Sequence, residues 1–256
     1  MRNRVKSLHR RYYVSNDLWL DGTSQFGFLV RSYLRPDMKI LNLGAGPGTG
    51  KLHFDRMVGS VIGLDPACAI ERNEHVTFRV RGVAETLPFR SDTFDLVYMD
   101  WVIEHLSFPR HAVAEVFRVL QPRGKFIFRT GNLFHYSYLI ASVTPHWFHT
   151  LLVGHHDADP YPTFYRMNTV RAIRRILAAV GFKQDRIVMM EPDPAYVTMS
   201  RLTFLGGVLY ERLVNRFDAL KPLRANILAC FVKPERRWLE DAISNPYVVK
   251  LEHAYR

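Results

Sequence analysis

A chain of 256 residues that is 48% hydrophobic and 23% charged has enough apolar side chains to bury a core, which excludes an intrinsically disordered protein. Lysine and arginine number 35 against 24 acidic residues, and the net charge of +11 keeps nucleic acid and anionic lipid among the candidate partners. The two cysteines, Cys68 and Cys230, are far apart, which excludes a disulfide framework and multi-cysteine zinc motifs and indicates a reducing compartment.

The N-terminus and the apolar segments determine the expected location. The basic residues between Arg2 and Arg11 are not followed by an apolar segment, so we expect no secretory signal and a cytoplasmic protein. The apolar stretch over residues 133–154 is interrupted by histidines and a proline and falls short of the roughly 18 residues of a membrane span. A spanning helix is therefore not expected, whereas peripheral attachment to a membrane stays open.

Short runs rich in β-branched residues alternate with segments of helical periodicity, which predicts a parallel sheet. The predicted strands cover residues 39–43, 60–64, 76–80, 94–99, 125–129, 186–190 and 226–232. The clearest helices cover residues 110–120 and 168–180, the second with Gly181 as its C-cap. Because βαβ units place a helix after each strand, we expect an α/β fold with a Rossmann-like, doubly wound and mostly parallel sheet of seven strands.

The length fits a single domain with five parts. We expect an N-terminal basic arm and helix over residues 1–35, a cofactor-binding half over 36–130, a lid insertion over 131–167, the C-terminal half of the sheet over 168–234 and a tail over 235–256. The lid is rich in aromatic residues, histidine and proline, and it follows the fifth strand, where a doubly wound sheet normally continues into a helix.

The glycine-rich segment LGAGPGTG, residues 43–50, directly follows the first predicted strand. Its glycines let the backbone turn sharply and approach a ligand at the carboxyl end of that strand. The spacing is Gly-x-Gly-x-Gly, and no Gly-Lys-Ser/Thr follows, so the segment is not a phosphate-binding P-loop. Asp65 ends the second strand 17 residues after Gly48, where its carboxylate could accept hydrogen bonds from both hydroxyls of a ribose.

Four further motifs follow the glycine-rich segment and Asp65 along the chain. Together they make the sequence resemble the class I S-adenosylmethionine-dependent methyltransferases, in particular the group with the small-molecule and quinone-type methyltransferase domain. GVAETLPF at residues 82–89 resembles the family's adenine loop, and FDLV at 94–97 its fourth strand. VIEHL at 102–106 resembles the turn after that strand, and RVLQPRGK at 118–125 the approach to the fifth strand. The resemblance is strong over residues 38–130, and it implies S-adenosylmethionine as cofactor and methyl transfer as the reaction.

The resemblance also implies a cofactor site. It assigns the methionine part to Gly44, Ala45 and Gly46 with Gly48 in the same turn, the ribose to Asp65 and Pro66, the adenine edge to Ala84 and Glu85, and the floor of the site to Asp100 and Trp101. Asn42 stands where an acidic residue is usual, and Val83 where an aspartate commonly accepts from adenine. Losing a hydrogen bond to a charged partner costs about 1.5 to 3 kcal/mol, so we expect weaker rather than abolished cofactor binding.

Methyl transfer from a sulfonium is an in-line displacement, so most of the acceleration comes from orientation, and a base helps where the acceptor must lose a proton. His105 and His135 follow the fourth and fifth strands and are the candidate bases at the carboxyl edge of the sheet; packing roles are the alternative. We predict no metal site. Glu104 and His105 resemble part of a metal-dependent set, but Trp101 replaces its second carboxylate, and the HHDAD segment at 155–159 is typical of an exposed loop.

The lid carries the candidate substrate residues. Tyr161 and Tyr165 would supply aromatic walls, and Arg166 a cation for a phosphate or carboxylate on the acceptor; a small satellite core is the alternative. The prediction is methyl transfer, at oxygen, to a small-molecule, sugar or lipid-linked acceptor.

Two other functions and the oligomeric state stay open. An RNA methyltransferase is favoured by the net charge and the basic arm, but residues 100–103 lack the Asn/Asp-Pro-Pro-Tyr/Phe motif of enzymes that methylate the amino group of a flipped base. A non-catalytic S-adenosylmethionine-binding protein is favoured by the departures at Asn42 and Val83.

Overall fold

The computed structural model describes residues 3–14, 21–143, 161–194 and 200–235. The helices are α1 (Asn3–His9, continued by a π-helical turn, Arg10–Val14), α2 (Gly22–Arg31), α3 (Pro109–Val119), α4 (Tyr136–Val143), α5 (Val170–Val180) and α6 (Arg201–Arg216). The strands are β1 (Lys39–Leu43), β2 (Ser60–Asp65), β3 (Phe78–Arg81), β4 (Phe94–Asp100), β5 (Leu120–Gly131), β6 (Lys183–Met190) and β7 (Asn226–Val232). Short 3₁₀ turns cover Cys68–Arg72, Ile103–His105 and Asp218–Leu223.

The strands form one seven-stranded sheet in the order β3-β2-β1-β4-β5-β7-β6. Strands β1 to β5 pair in parallel, and β7 runs antiparallel to both of its neighbours, β5 and β6. The mostly parallel, Rossmann-like sheet predicted from the sequence is confirmed. The order reverses direction at β1 and β4, and in open α/β sheets the crevice at such a reversal is the usual place for a ligand.

The bounds of several elements differ from those predicted. Strand β5 begins at Leu120 rather than 125, because Leu120 pairs with Phe94 across a register shift, and β6 begins at Lys183 rather than 186. Helix α5 begins after Thr169, whose side chain accepts a hydrogen bond from the backbone N–H of Ala172 at 3.2 Å. Gly181 is its C-cap with φ at +108°, as predicted.

The expectation of a helix after each strand is wrong for the first three strands. Residues 44–59, between β1 and β2, contain no helix, and neither do residues 82–93 between β3 and β4. Between β2 and β3 the chain makes one 3₁₀ turn, Cys68–Arg72. Glycine and proline dominate the start of the first connection, and both are poor residues inside a helix. Phe54 and Val58 of this connection pack against the sheet in place of a helix.

The core has one layer on each face of the sheet. Helices α3 and α5 cover one face, where their apolar stripes meet side chains of all the central strands, with Val116, Leu177 and Phe128 fully buried. Helix α2 covers the other face through Phe26 and Val30. A smaller cluster holds α1 on α6. Burial of these stripes on both sides makes the sheet doubly wound.

Several sequence predictions fall on residues outside the described ranges. They are the lid segment 144–160 with its HHDAD sequence, most of the tail, and Arg2 of the basic arm. Within the described ranges, no helix combines the length and the hydropathy that crossing a membrane requires.

Candidate active site

The carboxyl ends of β1, β2 and β4 meet at one edge of the sheet. Leu43, the last residue of β1, is in register with Leu64 of β2 and with Met99 of β4. The residues that come next on each strand are therefore neighbours: Gly44 after β1, Asp65 at the end of β2 and Asp100 at the end of β4. The sequence brings one flexible backbone segment and two carboxylates to the same place.

Asp65 fastens the glycine turn to the end of β2. One carboxylate oxygen, Oδ2, accepts from the backbone N–H of Gly46 at 3.0 Å, and Oδ1 accepts from the N–H of Ala67 at 2.9 Å. The side chain is 6% exposed. The hydroxyl of Tyr161 also donates to Oδ1, at 3.3 Å, and because a carboxylate offers about four acceptor positions, Asp65 keeps about one for a ligand.

Asn73 holds the same turn from the other side, and sequence reasoning missed it. Its Nδ2 donates to the carbonyl oxygens of Ala45 and Gly46, both at 3.0 Å. A Cβ on Gly48 would lie 2.5 Å from Asn73 Oδ1, so glycine is required there for the close approach as well as for its φ of +76°. Asn73 follows a 3₁₀ turn between β2 and β3, and no motif or spacing in the sequence points to it.

Two cavities adjoin this edge. The β2-side cavity, of about 390 Å³, is lined by Leu43, Gly44, Leu64, Asp65, Pro66, Gly82, Val83, Ala84, Glu85, Asp100, Trp101, Val102, His105, Leu106, Ser107, Tyr161, Pro162 and Phe164. The α2-side cavity, of about 340 Å³, is lined by Thr23, Asn42, Gly44, Ala45, Gly48, Gly50, Lys51, Leu52, His53, Asn73, His75, Val76, Tyr98, Asp100, Trp101 and Arg129. Gly44, Asp100 and Trp101 line both, so the cavities meet at these three residues.

A buried ion pair forms the floor of that junction. Arg129 of β5 donates to both carboxylate oxygens of Asp100, from Nε at 2.6 Å and from Nη2 at 2.8 Å, and Nη2 also donates to Thr23 at 3.1 Å. Burial raises the pKa of Asp100, and the guanidinium of Arg129 opposes that rise. The guanidinium also lies 5.0 Å from the ring centroid of Trp101, whose backbone φ is +58°. The pair fixes the orientation of the junction residues.

Residues 41–128 match the family model described as a methyltransferase domain. Over this segment the chain is similar to methyltransferase domains. Among curated relatives, an uncharacterized methyltransferase of Bacillus subtilis, YcgJ, is 37% identical over 132 residues, which is 47% of this chain and 51% of the relative. A demethylmenaquinone methyltransferase of Streptomyces avermitilis is 27% identical over 160 residues, covering 61% of this chain and 60% of the relative. The chain spans about half the length of the curated relatives it matches.

Solved structures share the methyltransferase fold over a larger part of the chain. The crystal structure of YcgJ matches with a TM-score of 0.54 and 18% identity, covering 82% of this chain and 98% of that one. An S-adenosylmethionine-dependent methyltransferase from Mesorhizobium loti matches with a TM-score of 0.55 and 18% identity, covering 80% of this chain and 95% of that one. At this identity the likeness shows the fold.

The similarity to methyltransferase domains implies S-adenosylmethionine as the cofactor, and most of its predicted contacts line the two cavities. Asp65, Pro66, Ala84 and Glu85, predicted for ribose and adenine, all line the β2-side cavity. Asn42, Ala45 and Gly48 line the α2-side cavity, and Gly44, Asp100 and Trp101 line both. Gly46 is outside both sets of lining residues, and its N–H is bonded to Asp65. The volumes fit the usual range for small-ligand sites, about 300 to 1,000 Å³.

The two candidate bases have different surroundings. His105 lines the β2-side cavity, and its Nδ1 lies 3.1 Å from the carbonyl oxygen of Pro162. Because that carbonyl can only accept, Nδ1 is the donor in this hydrogen bond. The expectation that His135 projects into the site is wrong: it is fully buried, with Nε2 at 3.3 Å from Glu191. Glu191 is on the loop after β6, so tertiary packing rather than strand order places His135.

The three predicted substrate residues do not lie together in one cavity. Tyr161 lines the β2-side cavity, and its hydroxyl donates to Asp65 Oδ1 at 3.3 Å, so it lies at the ribose end rather than beside an acceptor. Among the described residues that line the two cavities, neither Tyr165 nor Arg166 is found. Arg166 donates to the carbonyl oxygen of Ser107 and covers the ring of Phe164. The expectation that Arg166 faces an acceptor is therefore corrected; it holds the chain at 161–166 against the turn after β4.

Glu104 is a second residue whose surroundings sequence reasoning missed. It is 6% exposed, and it accepts from the hydroxyl of Thr130 at 3.0 Å, which in turn accepts from Asn168 Nδ2 at 2.7 Å. Burial raises the pKa of Glu104. The described residues contain no group of three or more histidine, cysteine or acidic side chains arranged to hold a metal ion. Through these hydrogen bonds, Glu104 links the turn after β4 to the carboxyl end of β5 and to the loop before α5.

Proposed function

We propose that this protein transfers a methyl group from S-adenosylmethionine to a hydroxyl of a small-molecule, sugar or lipid-linked acceptor. The observation that carries the proposal is the meeting of two cavities at Gly44, Asp100 and Trp101, beside a carboxylate at the end of β2. One cavity can hold the nucleoside while the other admits an acceptor, which is the arrangement that a two-substrate transfer needs. The methyltransferase family supports the reaction class.

Each part of the site has a physical task in this proposal. The bound cofactor supplies an electrophilic methyl group on a sulfonium. Asp65 would accept hydrogen bonds from the ribose, and the apolar Leu64 and Ala84 would contact the adenine face. The Asp100–Arg129 pair and Trp101 would fix the floor where the methyl group lies, so that the acceptor approaches in line. Rigid positioning is the main source of rate in such a displacement.

Transfer to oxygen is the finer part of the proposal. Curated relatives include both a rat mitochondrial ubiquinone biosynthesis O-methyltransferase and C-methyltransferases of ubiquinone and menaquinone biosynthesis. His105 supports oxygen, because it lines the β2-side cavity with its Nδ1 held by the carbonyl of Pro162, and we assign it as the base for an acceptor hydroxyl. His105→Gln should lower kcat by a larger factor than it weakens cofactor binding in the cavity that both share. His111→Gln, on an exposed residue of α3, is the matched control.

Cofactor binding is the first test. Calorimetric titration with S-adenosylhomocysteine should show micromolar binding, which Asp65→Ala weakens by about 1.5 to 3 kcal/mol, or roughly 10- to 150-fold. Asp37→Ala, at an aspartate that is 80% exposed, should bind like the wild type. Because Asp65 also fastens the glycine turn, Asp65→Asn serves as a milder variant that keeps one acceptor oxygen. A wild-type protein that does not bind would refute the proposal.

Acceptor identity is then sought with radiolabelled S-adenosylmethionine in fractionated lysate. Label in a small-molecule or lipid fraction supports the proposal, and label in RNA that is lost after ribonuclease treatment would favour the RNA alternative. Cofactor binding with no labelled fraction would favour the non-catalytic alternative, which the uncharged residues at Asn42 and Val83 had suggested.

We also propose that the protein works at an anionic membrane surface, because α6 exposes an apolar and basic face. Leu202, Leu209 and Leu213 are 82%, 70% and 47% exposed, and with Leu205 they recur at helical spacing. Arg201, Arg212 and Arg216 are exposed on the same helix. Glu211, the acidic residue of α6, accepts from Tyr13 and Asn215 and forms an ion pair with Arg212 at 3.4 Å, which leaves Arg201 and Arg216 as the arginines of this helix for lipid phosphates. Leucines that insert and arginines that meet lipid phosphates are the features of an interfacial helix.

Sedimentation with phosphatidylglycerol vesicles tests the membrane proposal. The wild type should sediment at low salt, and the double variant Leu209→Ser with Leu213→Ser should lose most of that binding. Phe78→Ser is the matched control, because Phe78 is 61% exposed on the edge strand β3, away from α6. Equal sedimentation of both variants would overturn the assignment of α6. Concentration-dependent dimerisation that the double variant abolishes would assign the face to a second copy of the chain instead.

A further inference from the structure

The α2-side cavity carries more basic than acidic side chains. Lys51, His53, His75 and Arg129 line it, and among its described lining residues Asp100 is the only acidic one. Asn42, at the end of β1, adds no charge. Basic residues gathered on one wall of a cavity raise the potential inside it and favour an anionic ligand.

Carboxylates lie beside three of these four basic side chains. Asp100 is engaged at both oxygens by Arg129. Asp21 contacts Lys51 at 3.1 Å while it also caps α2 through the backbone N–H of Ser24. Asp55 is 3.8 Å from His75 and outside the cavity lining. His53 has no ion pair of its own among the described residues.

The two histidines form a stacked pair. Their ring centroids are 3.5 Å apart, with an angle of 29° between the planes. Burial, and then the neighbouring ring of His75, lowers the pKa of His53. An imidazole offers an N–H donor in its neutral form as well as in its charged form. The stacked pair can therefore donate hydrogen bonds to an anion in the cavity.

The position of the pair relates it to the transfer reaction. Lys51 and His53 belong to the connection after β1, which lacks a helix, and His75 lies on the loop before β3. Their cavity opens to Gly44, Asp100 and Trp101, where the methyl group would lie. A ligand bound by these cations would place its remaining atoms toward that junction.

We propose that the α2-side cavity binds an anionic group of the methyl acceptor, a phosphate or a carboxylate, through Lys51, His53 and His75. This inference rests on the proposed function and names the chemical class of its acceptor. The carboxylate of the cofactor's methionine part has the same chemistry and is the other source of an anion for these cations. The cation that the sequence predicted for this task, Arg166, is bound elsewhere.

The test is calorimetric titration of the S-adenosylhomocysteine-saturated protein with inorganic phosphate and with acetate. The wild type should bind one of them, and the double variant His53→Gln with His75→Gln should bind it at least about tenfold more weakly, since each lost charge-assisted hydrogen bond removes about that affinity. His111→Gln should match the wild type. Lys51→Met is a second variant for which misfolding is not expected, because Lys51 is 76% exposed, and it should also weaken anion binding.

The affinity for S-adenosylhomocysteine separates the two sources of the anion. If the cations serve the acceptor, the double variant binds S-adenosylhomocysteine within about twofold of the wild type. If S-adenosylhomocysteine binding weakens while that of 5′-methylthioadenosine, which lacks the carboxylate, does not, the cations hold the cofactor and the inference is overturned. Equal anion affinity in all variants also overturns it. Failure to bind either nucleoside, with anion binding intact in the free protein, would refute the proposed function instead.

Discussion

Gly46 and Gly48 offer a matched pair of alanine substitutions within one turn. Both have left-handed backbone, with φ of +51° and +76°, so each alanine costs about 1 to 2 kcal/mol of folding stability. A Cβ on Gly46 meets nothing within 4 Å, whereas a Cβ on Gly48 lies 2.5 Å from Oδ1 and 2.7 Å from Cγ of Asn73. Asn73 would have to move, and its two bonds to the turn carbonyls are worth about 0.5 to 1.5 kcal/mol each.

Gly48→Ala should therefore be less stable than Gly46→Ala by about 1 to 3 kcal/mol. The gain from a stiffer unfolded chain is the same for both and cancels in the comparison. Urea unfolding followed by circular dichroism measures both free energies, and Asn73→Ala should remove most of the difference when combined with Gly48→Ala. Equal stability of the two single variants would show that Asn73 does not hold the turn.

Three further predictions concern buried groups. Arg129→Met should destabilise the fold by about 3 kcal/mol in denaturant unfolding, because it leaves the carboxylate of Asp100 partly buried without its cation; an unchanged midpoint would contradict the role of that pair. Burial raises the folded-state pKa of Glu104, so its unfavourable contribution grows as pH rises above the unfolded value of about 4.3, and Glu104→Gln should gain stability relative to the wild type between about pH 5 and pH 8. A difference that is constant with pH would count against this. Iodoacetamide should modify Cys68, which is exposed, and spare Cys230, whose pKa burial raises to about 12; mass spectrometry showing two modified cysteines in the native protein would argue otherwise.

Local signals allowed the strands and the cofactor edge to be predicted. Strands β1, β2 and β4 are short apolar runs, and in a parallel sheet the residue after the run lies at the carboxyl edge whatever the rest of the fold does. That is why Gly44, Asp65 and Asp100 are found together as expected. The C-cap at Gly181 was predictable for a similar reason, since a glycine after a periodic helix relieves the strain of a left-handed turn.

Long-range packing determined the parts that were not predicted. His135 follows β5 as expected, but Glu191, more than fifty residues later, draws it into the interior. Asn73 reaches the glycine turn from the connection between β2 and β3, which no single segment reveals. Tyr161 contacts Asp65 across 96 residues of sequence. For His135 and Tyr161 the sequence identified a polar residue near the edge and could not say which polar group would face it, whereas it did not identify Asn73.

The missing helix between β1 and β2 affects how the site can attract an anion. In many nucleotide sites a helix begins directly after the first strand, and its N-terminal N–H groups and dipole attract an anion. Residues 44–59 contain no helix, so that source of positive potential is absent from this connection. The same residues bring Lys51 and His53 to the cavity wall, and His75 stacks on His53 from the loop before β3. These basic side chains thus occupy the place where the helix N-terminus would have been. Unlike a helix dipole, each of them can be removed by a single substitution. The histidine variants consequently test how a sheet without that helix attracts an anion.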